Sequence, residues 1–283
     1  MPPIYVVDLL VQGRVGQLTV GNPVVEYEVS AANRVEDVLG FIRIIGERTT
    51  YVESSAVMPL QGSQIIRATT DEFSFYPQGA PFTIEEYKSI IKGSAEIASK
   101  LPPDCHLVLA TFPVLWPDGG IHNCGLYVQS PNVPGTSPVL HHFSKKNPFH
   151  LDFRYKKFDD TFYPLTTDID CTEEQDPNIV LSDTEIAIND INQYGAAIKL
   201  TTSQEDTFIS TIGICKDHGE GVEKKEVQKL ILQLQKHHQS IPLHCSHVIT
   251  SASVYNVPDN TLSTLSHADV NPAIRQPALM NAW

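Results

Sequence analysis

At 283 residues, 41% hydrophobic and 19% charged, the chain holds enough apolar material for one large core or two small ones. Its formal charge of −13 argues against nucleic acid or an anionic membrane surface as the main partner, because both require clustered Lys and Arg. No apolar run reaches the roughly 18 residues that a bilayer span needs, and MPPIYVVDLLVQGRVG lacks the basic start and small-residue cleavage site of a signal peptide. The cysteines (Cys105, Cys124, Cys171, Cys215, Cys245) are odd in number and show no CxxC spacing. The expectation is free thiols in a reducing, cytoplasmic compartment, with neither a disulfide framework nor a zinc site.

In chain order, IYVVDLLV (4–11) is a continuous apolar run of strand length. A hairpin-like stretch follows, with turn signals at Gly13, Gly16 and GNP (21–23). RVEDVLGFIRII places Val35, Val38, Leu39 and Ile42 on one face of a helix. QIIRATTDEFSF (64–75) returns to strand residues. Thr83 and Glu86 then form a capping box, and Ile84, Tyr87, Ile91, Ala95 and Ala98 line one side of the helix it starts. HLVLATFPVLW and NCGLYVQS read as strands joined by the turn PDGG (117–120), and PVLHHFSKK (138–146) as a third. From 147 to 205 periodicity is weak, which predicts loops with one or two further strands. TFISTIGIC is a strand ending at a thiol. VEKKEVQKLILQLQKHH sets Val227, Leu230, Ile231 and Leu234 at helical spacing, and SHVITSASV (246–254) is a last strand before a loop-like tail from 257. Strands and helices alternate, which favours one mixed α/β domain with helices outside the sheets.

Cys215 stands where a strand turns sharply toward a helix, in IGICKDHGEG. Backbone N–H groups and the helix dipole at such a turn favour the thiolate, which is the nucleophilic form. The plain alternative is a small buried hydrophobe, the usual fate of a lone cysteine. Two other polar groups stand at strand ends: Glu72 in RATTDEFSF, and the pair Lys145 and Lys146 in HHFSKKN. Each alone reads as a solvated charge. Together they supply an acid–base group and a cation for a developing oxyanion.

The order Glu, Lys, Cys at successive strand ends resembles the nitrilase (carbon–nitrogen hydrolase) superfamily. ATTDEFSF is similar to the strand that ends in the catalytic glutamate, which implies Glu72. LVLATFPVLWPDGGIHNCGLYVQSPNVPGTSPVLHHFSKKN is similar to the segment leading to the catalytic lysine. There Asn123 matches a structural asparagine, and the Phe-Ser-Lys register favours Lys145 over Lys146. IGICKDHGEG is similar to the nucleophile turn, with Cys215 as nucleophile, Asp217 matching an Asp, and HVITSASV the strand beyond. The likeness covers roughly 60–146 and 205–256. It implies a four-layer α-β-β-α sandwich, a single domain over 1–283, and pairing of two copies near VEKKEVQKLILQLQKHH.

The chain departs from that pattern in several places. Lys145 and Cys215 are 70 residues apart (215 − 145), so 147–205 reads as an insertion over the site mouth. No carboxylate among Asp152, Asp159, Asp160, Glu173 and Glu174 takes the register of the family's second glutamate, and Gly219 replaces an arginine. Residues 1–60 match poorly, so the first strand is either IYVVDLLV or PVVEYEVS.

The resemblance implies hydrolysis of an amide, ureido or nitrile bond in a small molecule. Glu72 is the base, Cys215 forms a thioester, and Lys145 with the Lys216 N–H holds the tetrahedral intermediate; no cofactor or metal is called for. Three rivals stand beside it. One is a Cys–His hydrolase using His218, with His237, His238, His244 and His247 also near in sequence. A second is a non-catalytic binding protein of the same fold. The third is a metal site at HCSH (244–247), read with Cys245 turned away from His244 and His247 and with no evident fourth ligand. His141, His142, Trp116 and Tyr127 read as packing residues.

Overall fold

The computed structural model describes residues 3–11, 34–56, 61–72, 74–77, 79–147, 155, 157, 161–164, 181, 197–215, 217, 220–250 and 267–270. Within them the chain is mixed α/β, with two sheets and three helices. The strands are β1 (Ile4–Val11), β2 (Ser63–Thr70), β3 (Cys105–Leu115), β4 (Ile121–Gln129), β5 (Val139–Ser144), β6 (Ala197–Thr201), β7 (Thr207–Ile214), β8 (His244–Thr250) and β9 (His267–Val270). The helices are α1 (Arg34–Ser55), α2 (Ile84–Ala98) and α3 (Val222–Lys236). No described helix is long and apolar enough to cross a membrane.

The first sheet runs β1-β2-β3-β4-β5, with β1, β2 and β3 mutually parallel and β4 antiparallel to both neighbours. α1 and α2 are the crossovers that the parallel pairs require. IYVVDLLV is thus the first strand, paired in register with 63–70, and PVVEYEVS lies outside the described residues. α1 buries Val38, Ile42, Ile45 and Thr49, a single stripe at helical spacing. α2 begins where the capping box places it: the Thr83 side chain accepts from Glu86 N, and the Glu86 carboxylate accepts from Thr83 N at 2.8 Å. Gly93 lets the two helices close, since a Cβ there would stand 2.5 Å from Leu39 Cδ2.

Both helices pack on one face of this sheet, through a cluster that includes Ile42, Tyr87, Ile91, Leu109, Phe112 and Trp116. The opposite face meets the second sheet, β6-β7-β8-β9. Ile4, Ile65, Val108, Tyr127 and Phe143 from one side share a buried cluster with Ile198, Leu200, Phe208, Ile212 and Ile214 from the other. α3 contacts β6 and β7.

Two expectations change here. The tail from 257 is not all loop, because β9 pairs antiparallel with β8. HADV carries no apolar run, so a strand held by backbone pairing left no pattern to read. The buried residues of α3 are Val222, Glu223, Glu226 and Leu234, while Val227, Leu230 and Ile231 are only half-buried. The hairpin expected at 13–23, and most of the segment expected as an insertion, lie outside the described residues.

Candidate active site

β4 runs against both β3 and β5, so β2, β3 and β5 point the same way and their C-terminal ends share one edge of the first sheet. Glu72 follows the end of β2, and Lys145 follows β5. Lys145 N still donates to Asn123 O at 2.9 Å, so strand geometry, with its alternation of faces, continues through Lys145. Three inter-strand steps of about 4.8 Å separate β2 from β5. The gap closes because Glu72 has left its strand and the lysine side chain is long.

Lys145 Nζ donates to Glu72 Oε1 at 2.8 Å, with both side chains 1% exposed. Asn123 Nδ2 lies 3.3 Å from the same oxygen. Neither charge is solvated, contrary to the plain reading of each residue alone. A buried carboxylate facing a buried ammonium is costly to assemble and strongly held once assembled. A preorganised ammonium of this kind can stabilise negative charge that develops in a reaction.

Cys215 closes β7. Its N–H donates to Thr250 O at 2.8 Å, the last rung of the β7–β8 ladder, and its φ of +46° lies in the left-handed region. A side-chain-bearing residue avoids that region unless its surroundings impose it, and strained turns of this kind present nucleophiles at strand ends. Cys215 is half-buried and packs against the inter-sheet cluster to which Phe143 belongs. Phe143 precedes Lys145 by two positions, and so shares its face of β5.

Asp217 joins the two strand ends. Its carboxylate accepts from Lys146 N at 2.8 Å, Asn147 N at 2.7 Å and Asn147 Nδ2 at 2.9 Å. Burial pushes its carboxyl up from the usual carboxylate value, while the Lys146 and Asn147 donors and the Lys145 charge pull it back. The turn after Cys215 is thereby tied to the peptide after Lys145. Glu72, Asn123, Lys145, Asp217 and the Cys215 turn belong to one end of the molecule.

Consecutive lysines point in opposite directions, as residues of an extended chain do. Lys145 takes Glu72, whereas Lys146 reaches α3 and donates to Glu226 Oε1 at 2.8 Å. Lys216 and His218 lie outside the described residues, as do Gly219 and the carboxylates at 152, 159, 160, 173 and 174.

HCSH opens β8, whereas Cys215 N–H meets Thr250 at the strand's other end. His244 and Ser246 are buried, whereas Cys245 and His247 are half-buried. That alternation places Cys245 on the same face as His247, correcting the orientation read from the sequence, because strand side chains repeat every second residue. His247 Nδ1 shares a hydrogen bond of 2.5 Å with Thr211 Oγ1. Among the described residues no group of three or more His, Cys, Asp or Glu is placed to hold a metal ion. His142 packs against Tyr87 and Trp116, and His141 against Tyr127.

Sequence reasoning passed over Glu226, and also the Arg67–Asp8 pair buried between the sheets. The signal for Glu226 was its spacing: Glu223, Glu226, Val227 and Leu230 fall on adjacent positions of one helix side, so a carboxylate there must meet a partner. Comparison with protein-family models, with curated proteins and with solved structures found no match to this chain.

Proposed function

We propose that the chain is a carbon–nitrogen hydrolase of nitrilase type, acting on a small amide, ureido compound or nitrile through Glu72, Lys145 and Cys215. The observation that carries this reading is the buried ion pair. Lys145 and Glu72 meet at 2.8 Å at the sheet edge, and the Asp217 carboxylate binds that edge to the Cys215 turn. A merely structural lysine gains little from such a position.

In the proposed reaction Glu72 accepts the thiol proton and the Cys215 sulfur attacks the amide or nitrile carbon. The ammonium of Lys145, together with the N–H of Lys216, stabilises the negative charge that forms on the substrate. For an amide, Glu72 returns the proton to the leaving nitrogen, and ammonia or an amine departs as the C–N bond breaks. The thioester then takes water, which loses a proton to Glu72; the acid leaves as the C–S bond breaks, and Glu72 returns that proton to the sulfur. A nitrile first gives a thioimidate, whose nitrogen takes the Glu72 proton; addition of one water and loss of ammonia lead to the same thioester. Every proton is handled by a side chain or by water.

The architecture fits the same proposal. α1 and α2 on one face of the first sheet, the second sheet on its other face, and α3 against β6 and β7 support the α-β-β-α sandwich that this reading calls for. The half-buried Val227, Leu230 and Ile231 and the exposed Leu232 of α3 suit pairing with a second copy, which light scattering measures.

An ammonia-release screen over small amides, ureido acids and nitriles tests the activity. Wild type is expected to turn over at least one class, and Cys215→Ala none. Lys145→Met should lose about 10²–10³ in rate, the usual effect of one oxyanion donor. Turnover that survives Glu72→Gln would instead favour a Cys–His hydrolase. Absence of turnover, with no thioester on Cys215 by intact mass, would leave the binding-protein reading.

A further inference from the structure

α3 carries two carboxylates on its buried side, and they face different sheets. Glu223 Oε1 stands 3.9 Å from Nε2 of His247 on β8. Glu226, 4% exposed, accepts from Lys146 Nζ at 2.8 Å, directly beyond β5, and from Lys229 Nζ at 3.1 Å on its own helix. The helix that follows the Cys215 turn is thus fastened both to the sheet that carries Cys215 and to the strand end that carries Lys145. Nothing in the chemistry of the Glu72–Lys145–Cys215 set requires this second attachment, yet it occupies a position where an apolar residue would pack.

We infer that Glu226 is a positioning residue: by holding Lys146 it sets the peptide that follows Lys145, and so places the Lys145 ammonium against the Cys215 turn. The inference deepens the proposed hydrolase reading and rests on it. Lys145 has only one neighbour on its C-terminal side, and that neighbour is clamped at both ends. Asp217 takes its backbone N–H, and Glu226 takes its side chain. A long side chain loses substantial rotamer freedom when it is buried. Fixing the adjacent residue at two points confines the Lys145 Cα, so that the ammonium enters the site from one direction. Asp217 holds the backbone of Lys146 to the Cys215 turn; Glu226 adds a second tether, from α3 to the Lys146 side chain.

The test is the pH dependence of Cys215 alkylation by iodoacetamide, read on the Cys215 peptide by mass spectrometry. It needs no substrate, and it follows the thiolate fraction. Glu226→Gln and Lys146→Met are both expected to slow alkylation at neutral pH by about tenfold, a rise of about one unit in the midpoint. Their combination should be no slower than either alone. Simple through-space electrostatics predicts otherwise: losing the Glu226 charge would speed the reaction and losing the Lys146 charge would slow it. Opposite signs, or midpoints that stay at the wild-type value while only thermal stability falls, would overturn the positioning role. Lys145→Met separates this from the underlying reading. It should raise the midpoint by itself and leave Glu226→Gln with nothing further to change. If Lys145→Met does not move the midpoint, Lys145 does not act on the thiol and the tether falls, while the hydrolase reading is decided by ammonia release. If it does move while Glu226→Gln does not, only the tether falls.

Discussion

Two buried ion pairs dominate the chemistry of this chain at the scale of the residue, and they differ in purpose. Arg67 on β2 is 1% exposed and pairs with Asp8 on β1, its Nε 2.6 Å from Oδ1. It also donates to Ser246 on β8 at 3.1 Å, so a single guanidinium joins the two sheets across their shared interior. Its five fixed donors suit several partners at once. Burial works most strongly against its charge, and the Asp8 carboxylate together with Tyr127 still holds the guanidinium above its ordinary value. Arg67→Met would leave a nearly buried carboxylate without its main cation, at a cost of about 3–5 kcal/mol. Urea denaturation should show that loss, and Arg67→Met combined with Asp8→Leu should recover most of it, because an apolar pair of similar volume replaces both charges. The Glu72–Lys145 pair stands instead at a sheet edge, which Asp217 ties to the turn after Cys215; in the proposed reaction its charges act on a substrate.

At the scale of the element, helix starts and strand ends place the site. α2 connects β2 to β3, and its first residue fixes where the segment after Glu72 must end. Thr83 and Glu86 satisfy two N–H groups that the first turn would otherwise leave open, and Glu85 and Glu86 complement the positive end of the helix. Thr83→Ala should cost about 1 kcal/mol of stability, measured by chemical denaturation, with little change in Cys215 alkylation. The β7–β8 pair acts in the second sheet. Its parallel ladder carries Ile214 opposite Thr250, and the turn that follows presents the sulfur. α3 shows how misleading a helix can be when read alone. Its apolar residues at helical spacing are half-buried, and its most enclosed positions include two carboxylates, each set toward a cation or a histidine.

At the scale of the molecule, burial of titratable groups sets how the fold responds to acid. His106 and His142 are each pulled down to about 3, first by burial. Arg67 and His141 add to the effect on His106, and His122 adds to that on His142. Unfolded histidine titrates near pH 6.5. Above that value neither state takes the proton; below it the unfolded chain does and the folded chain does not. Stability should therefore fall as the pH drops below about 6.5, by about 1.4 kcal/mol per unit for each such histidine. Asp104 and Asp217 shift the opposite way, since burial raises both, and they offset part of that fall. The histidines act over the window that opens at about pH 6.5 and extends downward. Urea midpoints across it should decline, and His142→Phe should make that decline shallower.

Much of this scaffold was legible locally. β1, β2, β3, β4, β5 and β7, the capping box of α2 and the start of α3 follow from apolar runs, spacing and caps, which depend on a few neighbouring residues. The sequence alone also set Glu72, Lys145 and Cys215 at strand ends, because strands of that composition stop where charge and glycine begin. It could not say that Glu72 and Lys145 are 73 positions apart and yet in contact, that Lys146 turns to Glu226, or that HADV is a strand. Those facts depend on strand order, on the alternation of side chains across a particular sheet edge, and on the way two sheets close over Arg67. Local pattern determines which elements form; only the packing of distant segments decides which charges lose their water together, as Glu72 and Lys145 do here.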